Sequence, residues 1–197
     1  MLGKVVTLGF WLSDTALEAA VVRPGRKASK TIATAAVAGE GLLTSSDRSK
    51  RLTEAFRVCL KKMPRVVRRA DTPAVLALPD RLVVEDVFDF AEFPKAQSEA
   101  QALVAHRLSR EMNVLPDEID VSWDRLASAD GAEHIRVRAM QSALRKDIET
   151  AATAAGVRLV RIDGWAGFAS AASQIANQDA GSVVWCDGAE WSLLCWG

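Results

Sequence analysis

The chain has 197 residues, 49% of them apolar, enough for one large domain or two small ones with a real core. Its 25 Lys plus Arg balance its 25 Asp plus Glu, so it lacks the cation surplus with which a general nucleic-acid binder displaces counterions. Three cysteines without metal-ligand spacing point to a reducing cytosol, and no apolar run approaches the roughly 18 residues of a membrane helix. Met1-Leu2-Gly3-Lys4 shows no signal-peptide pattern, so the chain reads as soluble, or as the cytosolic part of something tethered.

Val5 to Phe10 and Thr15 to Val22 read as two strands around Trp11–Asp14. Pro24-Gly25 makes the next turn, and Thr31 to Val37 suits a third strand. Asp47 to Met63 is the clearest helix. Leu52, Ala55, Phe56, Cys59, Leu60 and Met63 recur with helical period on one face, Ser46 or Asp47 can cap it, and Pro64 follows its end. Cys59 lies on that face as a small core residue. Lys61, Lys62, Arg65, Arg68 and Arg69 crowd the segment that follows. They suit a solvated helix end, or contact with anionic headgroups or an acidic partner.

Pro73 to Leu78 is a short apolar run closed by Pro79, as expected of a strand covered on both faces. Leu82 to Phe90 is extended and mixes Val83, Val84, Val87, Phe88 and Phe90 with Glu85, Asp86 and Asp89. Phe88, Phe90 and Phe93 fit either a core or a recognition surface. Ala96 to Met112 is a second amphipathic helix, with Ala100, Leu103, Val104, Leu108 and Met112 on one face. His106 projects away from that face. His134 has no Cys or carboxylate at metal-ligand spacing.

Ile119 to Leu126 alternates, with Ile119, Val121 and Trp123 on one side and Asp120, Ser122 and Asp124 on the other. Asp130-Gly131 is a hairpin signal. His134 to Met140 returns with Arg136 and Arg138 on its polar side. Cross-strand Asp–Arg pairs follow from this pattern, each worth about 0.2–1 kcal/mol. Ala143 to Ala155 is a third helix, stopped by Gly156. Val157 to Ile162 is a strand. Asp163 reads as the N-cap of a small-residue helix from Trp165 to Ala176. Ser182–Cys186 and Trp191–Trp196 read as a closing hairpin that sets Cys186 opposite Trp191 and Cys195 opposite Ser182, which does not pair the cysteines. So apolar an ending should be covered by more of a fold or by a partner.

Leu78-Pro79, Phe93-Pro94, Asn113-Val114-Leu115-Pro116, the strand Glu118 to Leu126, the helix that carries Lys146 and ends at Ala155-Gly156-Val157, and Arg161-Ile162-Asp163 follow one another in an order that resembles PilM-type proteins. Those are actin-like components of type IV pilus assembly, related to the cytoplasmic domain of the type II secretion component GspL. The resemblance covers roughly residues 4 to 190. It implies an α/β (α+β) fold: an actin-like (ribonuclease H-like) first lobe with an inserted small α+β subdomain, the second lobe largely absent. The first subdomain would span 1–80 and regain the chain at 160–181. The insert would span 81–159, and 182–197 would open a truncated second lobe.

In the actin superfamily the first turn holds phosphate through an acidic residue, then glycine, then small or hydroxyl residues whose backbone N–H groups approach the ligand. The equivalent stretch here is Leu8-Gly9-Phe10-Trp11-Leu12-Ser13. Gly9 and Ser13 survive in it, but a leucine stands where the carboxylate belongs and two bulky aromatics follow. The implied expectations are no catalytic residue, no metal and no cofactor, ATP being the alternative. The expected function is a non-enzymatic scaffold peripheral to a bacterial inner membrane. Its expected partner is the cytoplasmic N-terminal peptide of a bitopic pilus or secretion protein, or the assembly ATPase; self-association is a further option. Phe88, Phe90, Arg136 and Arg138 are the candidate partner contacts, near the junction of the first subdomain and the insert. The alternative function is an actin-like nucleotide switch or ATPase.

Overall fold

The computed structural model describes residues 7–23, 30–67, 73–126, 132–165, 181–187 and 190–196. The expected turns at Pro24-Gly25 and Asp130-Gly131, and most of the expected helix from Trp165 to Ala176, lie outside them. The chain forms two compact units, one of residues 1–80 with 147–197 and one of residues 81–146.

The first unit is built on a five-stranded sheet. Strands β1 (Thr7–Leu12), β2 (Ala16–Arg23) and β3 (Lys30–Ala38) form an antiparallel meander. β4 (Pro73–Leu78) lies parallel to β1, and β8 (Arg158–Gly164) parallel to β4, which gives the order β3-β2-β1-β4-β8. Alternation sends Leu8, Phe10 and Leu12 of β1 and Leu17, Ala19 and Val21 of β2 to one face, where all are buried. Helix α1 (Arg48–Lys62) meets that face with Leu52, Ala55, Phe56 and Cys59, the stripe its 3.6-residue period predicts. The Phe56 ring stands edge-on to Phe10 at 5.1 Å between centroids, a preferred aromatic geometry.

Helix α3 (Ser142–Ala154) carries the division between the units. Its second half belongs to the first unit, where Ile148, Ala151 and Ala152 are buried. Arg48 of α1 pairs with Asp147 at 2.6 Å, and the Arg57 guanidinium donates to the Ala154 carbonyl. The second unit therefore ends at Lys146, not at residue 159 as the sequence suggested. Arg158 and Leu159 pair with Pro73 and Ala74 in the five-stranded sheet. Gly156 ends the helix with φ of +79°, a conformation that favours glycine.

The second unit is a three-stranded antiparallel sheet in the order β5-β7-β6, covered on one face by α2 (Gln97–Met112). Its strands are β5 (Val84–Phe90), β6 (Ile119–Arg125) and β7 (Glu133–Gln141). Phe88, Ile135, Val137, Ala139, Ile119 and Val121 pack against Ala100, Val104, Ala105 and Leu108 of the helix. Asn113 in the left-handed region (φ 54°) ends α2, and the following Val114 N–H returns to the Ser109 carbonyl. Near the C-terminus, β9 (Gly181–Asp187) and β10 (Glu190–Trp196) pair antiparallel, with Cys186 opposite Trp191 and Cys195 opposite Ser182, the expected register.

Candidate functional site

The turn between β1 and β2 lies at Ser13-Asp14-Thr15, and its polar groups are already spent. Ser13 is buried, and its Oγ accepts the backbone N–H groups of Ala16 (3.0 Å) and Thr15 (3.3 Å). The Ser13 N–H donates to the Ala16 carbonyl. Asp14 Oδ1 accepts the N–H of Leu43 at 2.9 Å, the N–H of Thr44 at 3.0 Å and the Thr44 hydroxyl at 3.1 Å. A phosphate-holding turn must present free N–H donors to its ligand; here the amides of Thr15 and Ala16 are bound by Ser13. Gly9 is not in this turn. It lies inside β1, paired with Ala20 and Val75. A Cβ there would meet its nearest neighbours at 3.8 and 4.0 Å, so nothing approaches closely enough to require glycine.

The four expected partner-binding residues fall on two faces of the three-stranded sheet. Phe88 is 2% exposed and stands opposite Ile135, on the α2 side. The Arg107 guanidinium lies 3.9 Å from its ring centroid, a cation–π contact. Phe90 shares that side, 5.1 Å from Phe93, and packs against the core. Arg136 and Arg138 occupy the opposite face, in register with Val87 and Glu85 on β5 and with Asp124 and Ser122 on β6. A β-strand sends alternate residues to opposite faces, so Phe88 and Phe90 cannot share a surface with the two arginines. Phe88 is a core residue, which corrects its expected role as a contact.

The face with the arginines is a charged ladder. Arg138 bridges Asp124 at 2.9 Å and Glu85 at 3.2 Å, and Arg136 reaches Asp124 at 3.5 Å. His134 pairs with Asp89. Arg136 Nε is buried with no hydrogen-bond partner among the described residues. Val87, 48% exposed, lies between these charges. The register gives this face Glu85, Asp89, Asp120 and Asp124 against Arg136 and Arg138, so it is net acidic when His134 is neutral.

In the first unit, the sheet face turned away from α1 carries a cleft of about 610 Å³. Gly9, Trp11, Ala20, Thr34, Val75 and Trp165 contribute to its wall, and the two tryptophan rings meet at 4.7 Å. Asp163 lies within β8, its carboxylate accepting from Arg161 at 3.1 Å and from the Gly164 N–H at 2.9 Å. Burial pushes the Cys59 thiol up to about 11. Among the described residues no group of three or more His, Cys, Asp or Glu is placed to hold a metal, and no helix is long and apolar enough to cross a membrane.

Asp14, Arg107 and the Trp11–Trp165 pair are the features sequence reading missed. Asp14 follows a serine in a turn, a pattern of side chains that bond local backbone, but its partners lie some thirty residues on.

An antiparallel meander continued by two parallel strands, with an α+β unit hung between β4 and β8, defines an actin-like fold. No protein-family model matches the chain, and no curated protein matches it. Among solved structures it resembles the PilM–PilN type IV pilus biogenesis complex, with a TM-score of 0.65 and 16% identity over 98% of this chain and 62% of that one. It also resembles the cytoplasmic domain of EpsL, an inner membrane component of the type II secretion system of Vibrio cholerae, with a TM-score of 0.62 and 14% identity over 95% of this chain and 66% of that one. A Bacteroides thetaiotaomicron protein of actin-like ATPase fold and unknown function follows, with a TM-score of 0.52 and 10% identity over 98% and 66%. The chain therefore has the actin-like fold of these proteins and spans less than two thirds of the length of the PilM–PilN chain it matches.

Proposed function

We propose that this protein is a non-enzymatic scaffold of a type IV pilus or type II secretion assembly platform. It would act at the cytoplasmic side of an inner membrane and hold the cytoplasmic tail of a membrane partner. The observation that carries this reading is the closed β1–β2 turn, where Ser13 holds the Thr15 and Ala16 amides that a nucleotide phosphate would need. The likeness to a PilM–PilN complex and to an inner-membrane secretion component supports the setting.

The docking surface in this reading is the ladder face of the three-stranded sheet, with Arg136 and Arg138 ordering its carboxylates rather than forming a cationic patch. Its acidic balance and exposed Val87 fit a basic segment with an apolar anchor. Cytoplasmic flanks of inner-membrane proteins carry an excess of Lys and Arg, so such a tail has the complementary charge. No metal or nucleotide enters this account. Thermal denaturation separates it from a nucleotide switch: a ligand at a hundredfold excess over its Kd stabilises by about 2.7 kcal/mol. The scaffold reading expects that shift from a tail peptide and none from millimolar Mg-ATP; a shift from Mg-ATP alone would reverse the assignment.

A further inference from the structure

We infer that one end of the first unit is a cationic surface that rests on an anionic phospholipid bilayer. It is the end at which β1, β4 and β8 begin. Thr7 of β1 pairs with Val22, and the hairpin closes beyond it with Arg23 against Lys30. Leu8 pairs with Ala74 of β4, and Pro73 with Arg158 of β8, so Arg23, Lys30 and Arg158 share this end. Arg48 pairs with Asp147 and Arg57 with the Ala154 carbonyl, so α1 and α3 run side by side and finish together. Three residues after α3 the chain enters β8 at Arg158, which brings Lys61 in the last turn of α1 to the same end. Arg65 follows on the connection into β4. All five residues are exposed. Lys62 is turned to the β3 edge, where it donates to the Ala36 carbonyl, and is not counted.

No acid offsets them. No Asp or Glu occurs between Glu18 and Glu40, between Glu54 and Asp71, or between Glu149 and Asp163, and these three stretches hold nearly half of the chain's Lys and Arg. They are the stretches that meet at this end. The two acids of the five strands, Glu18 and Asp163, sit on the rung of Trp11 and Ala77, about 14 Å along the strands from Thr7. Residues 24–29 and 68–72 lie outside the described residues; their sequence adds Arg26, Lys27, Arg68 and Arg69 against Asp71. A helix C-terminus attracts cations through its dipole, which accounts for Lys61 but not for Arg23, Lys30 and Arg158 at strand ends. The chain as a whole is neutral, so a negative surface would orient it by this end. The strand ends from β3 to β8 span about 19 Å, a breadth suited to a sheet of headgroups. Apart from buried Phe56, the three stretches carry no aromatic residue, so nucleic-acid bases find nothing there to stack on. Anionic lipids give a cytoplasmic leaflet the negative potential that draws such cations. This contact takes its location from the scaffold reading but needs no protein partner.

Co-sedimentation of the full chain with vesicles, in the absence of any tail peptide, tests this. One set is phosphatidylcholine alone; the other is about two parts phosphatidylcholine to one part phosphatidylglycerol. Binding should appear on the anionic vesicles only and weaken as salt rises. The pairs Arg23→Glu with Lys30→Glu, and Lys61→Glu with Arg65→Glu, should each weaken it at least about tenfold, since one cation near such a surface contributes about fivefold. Arg23→Lys with Lys30→Arg keeps the charge and should bind as the parent does. Asp89→Lys, on the ladder face, should not weaken vesicle binding, so a failed tail titration and a failed vesicle assay are told apart. No binding to anionic vesicles, equal binding to neutral ones, or binding indifferent to both reversed pairs overturns the inference. So does a chain that passes over the vesicles and takes an oligonucleotide through the same residues.

Discussion

Asp14 and Thr44, thirty residues apart, are joined by three hydrogen bonds: Asp14 Oδ1 accepts the Thr44 N–H and hydroxyl, and Oδ2 accepts the hydroxyl again. The same carboxylate holds the Leu43 N–H. One side chain thus ties the first hairpin to the loop that leads into α1. Asp14→Ala leaves the donors of buried Leu43 and of Thr44 without this acceptor and should cost about 1–3 kcal/mol in urea unfolding. Asp14→Asn keeps one side-chain oxygen and should cost less. Equal losses would mean that the charge, not the acceptor geometry, matters.

Gly9 gives the converse result. It is a strand residue without a positive φ and with room for a methyl group. Gly9→Ala should be neutral or stabilise by about 0.4–1 kcal/mol, because alanine restricts the unfolded chain more than glycine does. A loss of more than about 1 kcal/mol on the same scale would show that Gly9 serves a close approach the structure does not contain.

Phe88→Ala should cost about 3–5 kcal/mol, as large-to-small changes in a packed core do, and should also loosen Arg107 from its ring. Any loss of partner binding would then track unfolding and return at low temperature. Arg136→Ala should leave the melting temperature within a few degrees, because partly exposed ion pairs contribute only about 0–1 kcal/mol. The reverse ranking in thermal melts would contradict the assignment of the two faces.

The contrast between these two residues shows how far the sequence could be read. The α1 stripe and the pairing of Asp124 with Arg136 were legible because each obeys a single period, 3.6 or 2. The stretch from Leu82 to Phe90 was not, since Val83 and Val87 share one parity while Val84, Phe88 and Phe90 share the other. Only the register with β7 decides that Phe88 is inside and Val87 outside. The boundary at Lys146 was hidden because α3 shows one continuous helical pattern while its two halves belong to different units. The Asp14–Thr44 link was hidden because no local period connects residues that far apart.

Cys59 should be chemically silent in the folded protein. Burial raises its thiol from 9.0 to about 11, with Lys62 opposing weakly. A raised folded value adds stability that is complete below pH 9 and is lost as pH climbs through 11. Labelling with a thiol reagent at pH 8 should proceed at the unfolding rate, and Cys59→Ser should abolish that phase. Rapid labelling of native Cys59 would show that the α1 face opens locally.

The acidic ladder face as a dock for a basic tail is the centre of this account, and calorimetric titration tests it most directly. The titrant is a synthetic cytoplasmic N-terminal peptide of a bitopic pilus or secretion protein, at low and high salt. The account predicts saturable binding that weakens as salt rises, because the attraction is between charges near the surface. Binding should also weaken in Asp89→Lys, a change at a 73% exposed side chain that leaves the core untouched. No saturable heat with any such tail, or binding indifferent to both salt and Asp89→Lys, would contradict it.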